Sequence, residues 1–240
     1  MKKEWKFSEN TVSVSDMCPF SYTPACLTDP LTQSNCYIIA HDRQALLIDP
    51  NNAPLIRSYL EAQHLLPEYV LLTHEHCDHM AGLNELRQAY KVQVIASKAC
   101  SDGIQSTTLN MSRIMESYLY FKSKGSLRVS YPKFTCLAAD ITFDNSYLFT
   151  WYGHLFRCLP AAGHTPGSTC IIMDSALLFS GDYFIPGEEV ITRLPGGSDE
   201  LYEQVGKKAL RALPAPIRTY PGHGESFLLT QEVKQTYGLY

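Results

Sequence analysis

One stretch, EYVLLTHEHCDHMAG at positions 68–82, constrains this chain more than any other. After Glu68 its first residues, YVLL, are apolar and β-prone, which reads as a strand buried in a sheet. That strand runs directly into His74, His76, Asp78 and His79. A folding core has no use for three imidazoles and a carboxylate in one turn, because each brings polar atoms that cost free energy when buried unpaired. A metal ion has such a use. In H-x-H-x-D-H, His74 and His76 lie two residues apart and can point the same way, while Asp78 and His79 enter the next turn. One segment thus offers two adjacent ligand sets. Imidazole and carboxylate together suit zinc, iron or manganese better than calcium or magnesium.

The remaining elements follow the same pattern of apolar runs that end in polar loops. NCYIIAHDRQALLID (35–49) reads as a hairpin and PNNAPLIRSYLEAQH as a Pro-initiated helix. AGLNELRQAY reads as a second helix and VQVIA as a further strand. In the second half, SYLFTWYGHLFRCLPA and STCIIMDSALLFSGD read as hairpins, SDELYEQVGKKALRAL as a helix and APIRTYPGHGE as a strand entering a Gly-rich loop. This alternation predicts a layered α/β fold with two similarly ordered halves. Residues 98–140 stand apart as a helical insert in a single domain spanning 1–240. Met111, Ile114, Met115, Tyr118 and Leu119 recur there at helical spacing. Packing against the core accounts for that stripe, and so does an adaptable wall or lid over a substrate.

A chain of 240 residues with 45% hydrophobic and 18% charged residues can bury a sizeable core, which excludes disorder and coiled coil. Net charge is −4 with no long Lys/Arg run, so nucleic acid is not an expected partner. The opening MKKEWKFSENTVSVSDM lacks an apolar segment behind its lysines, so no signal peptide is expected, and no run reaches the ~18 apolar residues of a membrane span. The eight cysteines form no CxxC pair and read as reduced thiols. These features predict a cytoplasmic protein acting on a small molecule. A homo-oligomer is compatible with them.

Three further residues complete a ligand inventory: His164 in AGHTPGS, Asp182 in LLFSGD and His223 in PGHGE. Each sits at the end of a predicted strand beside glycine, where backbone can approach an ion closely. Alone, each is a weak signal. In order, THEHCDH, AGHTPGS, LLFSGD and PGHG resemble the metallo-β-lactamase superfamily, especially its glyoxalase II-like hydrolase branch. The resemblance runs from NCYIIA to PGHGE apart from the insert.

The resemblance implies a four-layer αββα sandwich of the α/β (α+β) class, with metals at the sheet ends. It assigns His74, His76 and His164 to one metal, and Asp78, His79 and His223 to a second, with Asp182 bridging both. Two Zn2+ are the implied cofactors, with iron or manganese as substitutes. Asp49, ending ALLID, matches an aspartate behind the ligands. The implied activity is binuclear hydrolysis of a small ester, thioester or lactone, in which Asp78 and Asp182 orient a hydroxide shared by the cations. A phosphodiesterase on the same site and a mononuclear-iron persulfide dioxygenase are the alternatives within the family. Where β-lactamases of the best-known class carry Cys at the bridging position this chain has Asp182, which argues against antibiotic hydrolysis. With a short segment after His223, the helical region that holds glutathione in the glyoxalase II branch is not expected here.

Substrate contacts are less constrained. Arg193 in EEVITRLPGG, with Asn110 and Arg113 in the insert, are candidates to meet an anionic group. Tyr183 or His154 could protonate a leaving group. Cys77 occupies a spacer position in the cluster and reads as a packed thiol.

Overall fold

The computed structural model describes residues 23–240, so the expectation of no signal peptide, which rests on the first residues, lies outside the described residues. Two mixed six-stranded sheets face each other. The first is built from β1 (Ala25–Thr28), β2 (Asn35–His41), β3 (Gln44–Ile48), β4 (Leu66–Leu71), β5 (Gln93–Ser97) and β6 (Ile141–Phe143), in chain order. The second holds β7 (Tyr147–Trp151), β8 (His154–Pro160), β9 (Thr169–Met173), β10 (Leu177–Gly181), β11 (Ile217–Pro221) and β12 (Phe227–Leu229), also as consecutive neighbours. Strands β3 to β6 run parallel, as do β10 and β11, and the remaining pairs are antiparallel.

Strand periodicity explains the layers. Successive side chains point to opposite faces, so Tyr37, Ile39, Leu46, Ile48, Leu71 and Ile95 meet Phe156, Ile171, Met173 and Phe179 between the sheets. The alternate residues Ile38, Leu47, Val70 and Val94 face outward onto Ile56, Leu60, Leu83 and Leu86 of α1 (Ala53–Ala62) and α2 (Leu83–Ala89). On the other side Cys170, Ile172 and Leu178 pack with Leu210 and Leu213, in and just after a helical stretch. Being buried on both faces, these strands are continuously apolar rather than alternating. The result is the αββα sandwich that the sequence predicts.

α1 starts where Pro54 and the Asn52 side chain, which accepts the Leu55 N–H, provide a preset φ and a cap. The segment 98–140 forms the crossover from β5 to its parallel neighbour β6. It contains α3 (Lys98–Gly103) and α4 (Met115–Lys122), with Met111 in the turn before α4. Over the second sheet lie α5 (Asp199–Leu201), a π-helical turn (Tyr202–Gly206), α6 (Lys207–Ala212) and, at the C-terminal end, α7 (Gln231–Thr236). Among the described residues no helix is long and apolar enough to cross a membrane, and all seven described cysteines are free thiols.

Candidate metal centre

The C-terminal ends of β3, β4, β8, β10 and β11 converge on one edge of the sandwich, and each is followed by polar side chains that meet there. β3 delivers Asp49, β4 delivers Thr73 to His79, and β8, β10 and β11 lead to His164, Asp182 and His223. Within this edge His74, His76, His164 and Asp182 place one ligand-capable atom each within 4.8 Å of one another, and so do Asp78, His79 and His223. The structure therefore brings together all seven residues that the sequence singled out as ligands.

Their distances define two adjoining sets. His164 Nε2 stands 3.1 Å from His76 Nδ1 and 3.5 Å from Asp182 Oδ2. Asp182 Oδ1 is 3.1 Å from His79 Nε2 and 3.7 Å from His223 Nε2. His223 Nε2 is in turn 3.4 Å from Asp78 Oδ2. Asp182 thus presents one oxygen to each set.

Four of the five rings are aimed by a partner on the nitrogen that faces away from the centre. Thr73 Oγ1 lies 3.0 Å from His74 Nδ1, and Asp49 Oδ2 lies 3.2 Å from His79 Nδ1. The Ile191 carbonyl is 2.6 Å from His164 Nδ1 and the Gln33 carbonyl 2.9 Å from His223 Nδ1. Such partners fix tautomer and ring orientation in metal sites. Asp49 is itself held by the Thr73 N–H (2.8 Å) and the Thr73 hydroxyl (2.6 Å), so it sits behind the ligands as the resemblance implied.

Burial makes the cluster costly without a cation. His74, His76, His79 and His164 are essentially inaccessible. Burial first, then the neighbouring charge of His79, pushes His74 well below the usual imidazole value, and burial with His164 brings His76 to about 3. At His79 burial opposes protonation, but the carboxylates of Asp182 and Asp78 outweigh it and hold the ring charged. Nε2 of His74, His76 and His79 and Oδ1 of Asp182 are buried without a hydrogen-bond partner among the described residues. Such orphans are rare in folded proteins and call for an ion or solvent. Imidazoles held neutral at His74, His76 and His164, ionised aspartates and unpaired buried nitrogens suit a divalent metal of the zinc or iron type, and a cation would take the place of the proton on His79.

Glu75, which the sequence reading passed over, is fully buried between the two ligand-bearing loops. It accepts the Thr165 hydroxyl at 2.8 Å and the Gly167 N–H at 3.3 Å. A Cβ on Gly103 would lie 2.6 Å from Glu75 Cγ, and one on Gly167 would lie 2.4 Å from its Oε2. The His74–His76 loop is therefore keyed to the His164 loop through a buried carboxyl, at a position that two glycines keep open.

The centre opens into a narrow cleft. Met111, Met115 and Tyr118 of the 98–140 segment form one wall, and Ile185, Ile191 and Leu194 the other. Met111 and Met115 belong to the apolar core and also line the cleft.

Several expected contacts are corrected. The Tyr183 hydroxyl is buried, donates to the Ala161 carbonyl and accepts the His164 N–H, so it has no proton to offer a leaving group. Asn110 is wholly buried: its amide donates to the Phe134 carbonyl, its Oδ1 accepts the Ser112 N–H, and its backbone carbonyl takes the Cys77 N–H. It anchors the insert to the metal loop instead of meeting substrate. Arg113 and Arg193 are exposed and line no part of the cleft. His154 pairs with Asp174 at 2.6 Å, at the start of β8 rather than at its site end. Cys77 packs in the apolar core, where burial pushes its thiol pKa up.

A family model described as the metallo-beta-lactamase superfamily matches residues 29–223. The chain is 27% identical over 203 residues to a probable metallo-hydrolase, YqgX, of Bacillus subtilis, covering 83% of this chain and 90% of that one. It is 28% identical over 198 residues to hydroxyacylglutathione hydrolase of Alkalilimnicola ehrlichii, covering 81% of this chain and 63% of that enzyme. Among solved structures, BLEG-1 B3 metallo-beta-lactamase superposes with a TM-score of 0.76 at 25% identity, over 90% of this chain and 99% of that one.

Proposed function

From the premise that this chain belongs to the metallo-β-lactamase superfamily, we propose that it is a binuclear metal-dependent hydrolase of small esters, thioesters or lactones. One observation carries the reading: two adjoining ligand sets share Asp182, and Nε2 of His74, His76 and His79 within them is buried without a hydrogen-bond partner. His74, His76 and His164 would hold the first cation and Asp78, His79 and His223 the second, with Asp182 shared between the two sets. Zinc is the proposed metal, with iron or manganese served by the same donors. When bound, the cations supply Lewis acidity and acidify a water toward neutrality.

The chain's own residues do the rest. Asp182 and Asp78 are ionised and accept hydrogen bonds, so they hold a water proton and direct its oxygen into the cleft. Asp49, through His79, and Thr73, through His74, keep those rings from turning. The apolar walls from Met111 and Met115 on one side and Ile185 and Ile191 on the other exclude bulk water and favour an acyl group over a bare phosphodiester. Specificity for glutathione thioesters is not part of the proposal, since this chain spans only 63% of the hydroxyacylglutathione hydrolase it resembles.

The test is metal content on protein purified without added metal, followed by thioester, lactone and phosphodiester panels. Two equivalents of zinc with thioester or lactone turnover fit the reading. One equivalent of iron with oxygen uptake in the presence of a persulfide refutes it in favour of the dioxygenase alternative.

A further inference from the structure

The wall that the 98–140 segment contributes does not end in an apolar residue. Met115, Tyr118 and Lys122 are spaced i, i+3 and i+7 along α4, so they share one helix face, and all three line the cleft. Lys122 is the one lysine or arginine lining it among the described residues. Its ammonium lies over the Tyr118 ring, 5.6 Å from the ring centre. No described carboxylate comes within ion-pair distance of it. The acidic groups that face it are Glu188 across the mouth and Asp78 and Asp182 in the centre. Cations held by the ligand sets neutralise the two aspartates and leave Glu188 as the nearby negative charge.

The cleft therefore has an order along its length: metal centre, apolar middle, and a tethered cation at the rim. We propose that the substrate carries a carboxylate or similar anionic group remote from the bond that is cleaved, separated from it by a short apolar span, and that Lys122 binds this group. This inference rests on the hydrolase reading and names the substrate class within it. Lys122 sets specificity through affinity and takes no part in bond breaking. The tyrosine ring beneath the ammonium limits its rotamers, so less entropy is lost when an anion docks.

The experiment is calorimetric binding of product-like acids to the zinc-loaded protein. Succinate, glutarate and adipate are each compared with the monocarboxylate of equal carbon number. A charge-assisted contact at Lys122 makes at least one dicarboxylate bind about ten- to a hundredfold tighter than its monocarboxylate. In Lys122→Met that ratio falls toward one, in Lys122→Arg most of it returns, and in Glu188→Gln it rises. A wild-type ratio near one overturns the proposal, and so does a ratio that survives in Lys122→Met. Zinc content measured on the same samples separates the two levels. Protein that takes up no metal fails the hydrolase reading, whereas fully loaded protein without dicarboxylate preference fails only the assignment of Lys122.

Discussion

Gly222→Ala tests the metal centre from an unexpected side. Gly222 lies between the end of β11 and His223, and its backbone is clamped: its N–H donates to the Gly181 carbonyl at 2.7 Å, and its own carbonyl accepts the Asn35 N–H at 2.7 Å. A Cβ at this position would stand 2.3 Å from Asp182 Oδ1, 2.7 Å from His79 Cε1 and 3.0 Å from the Gly181 carbonyl carbon. Carbon contacts settle near 3.5 Å, so the Asp182 carboxylate has to retreat by about 1 Å. Overpacking of this kind costs about 1–3 kcal/mol, which in a chain of this size lowers Tm by only several degrees. The larger effect is on the carboxylate that spans both ligand sets. A misplacement of about 1 Å costs on the order of a hundredfold in turnover, and disturbed ligand geometry about ten- to a hundredfold in metal affinity. The measurements are zinc affinity by chelator competition, kcat/KM on a hydrolysed thioester or lactone, and Tm on the same preparation. Folded Gly222→Ala protein with wild-type zinc affinity and turnover would refute both the steric argument and the spanning role of Asp182.

Other perturbations probe separate parts of the structure. Thr73→Val removes the hydroxyl that donates to Asp49 and lies against His74 Nδ1, so zinc affinity should drop about ten- to a hundredfold; unchanged affinity would show that His74 is aimed by packing alone. Burial raises the Glu75 pKa to about 7 from an ordinary 4.5, with the hydrogen bonds from Thr165 and Gly167 opposing the rise. Between those values the folded state holds the proton more tightly than the unfolded chain, so this group's contribution to stability is complete below pH 4.5 and is lost as pH climbs to about 7. In chelator-treated protein the stability advantage of wild type over Glu75→Gln should accordingly shrink by about 3 kcal/mol across that window; parallel pH curves for the two would count against it. Arg193→Ala and Arg113→Ala should leave KM unchanged, because neither side chain reaches the cleft; a raised KM in either restores it as a substrate contact.

Strands buried on both faces announce themselves as apolar runs, which is why β2 to β5 and β9 to β11 are readable from sequence, while β7 and β8 are legible as an alternating hairpin. The strands that were not, β1, β6 and β12, are three- or four-residue sheet edges, partly exposed and too short for periodicity to register. The candidate metal ligands were legible because imidazoles and aspartates beside glycine at strand ends have few other uses. Asn110 and Tyr183 were misread for the opposite reason: their hydrogen-bonding capacity is spent on backbone groups of distant segments, and residue type does not reveal that. Glu75 was hidden because its environment is made by Gly103 and Gly167, remote from it in sequence. Lys122 carried a visible signal, as the continuation of the Met115–Tyr118 stripe, but only the closed sandwich shows that this stripe faces the metal edge.

The two sheets meet at that edge through bonds between residues far apart in the chain. Asn35 Nδ2 donates to the Pro221 carbonyl across 186 positions, and the Tyr37 hydroxyl donates to the same oxygen across 184. Closing loops of that size is entropically slow and comes late in folding. During synthesis, the half that carries His74 to His79 can form its sheet and helices long before its counterpart exists, yet it then owns an incomplete set of donors. The set built on Asp78 and His79 is complete only once His223 has been added and β11 has docked beside β10. A cation that binds only the finished edge would add to stability by mass action, as a lock applied after assembly.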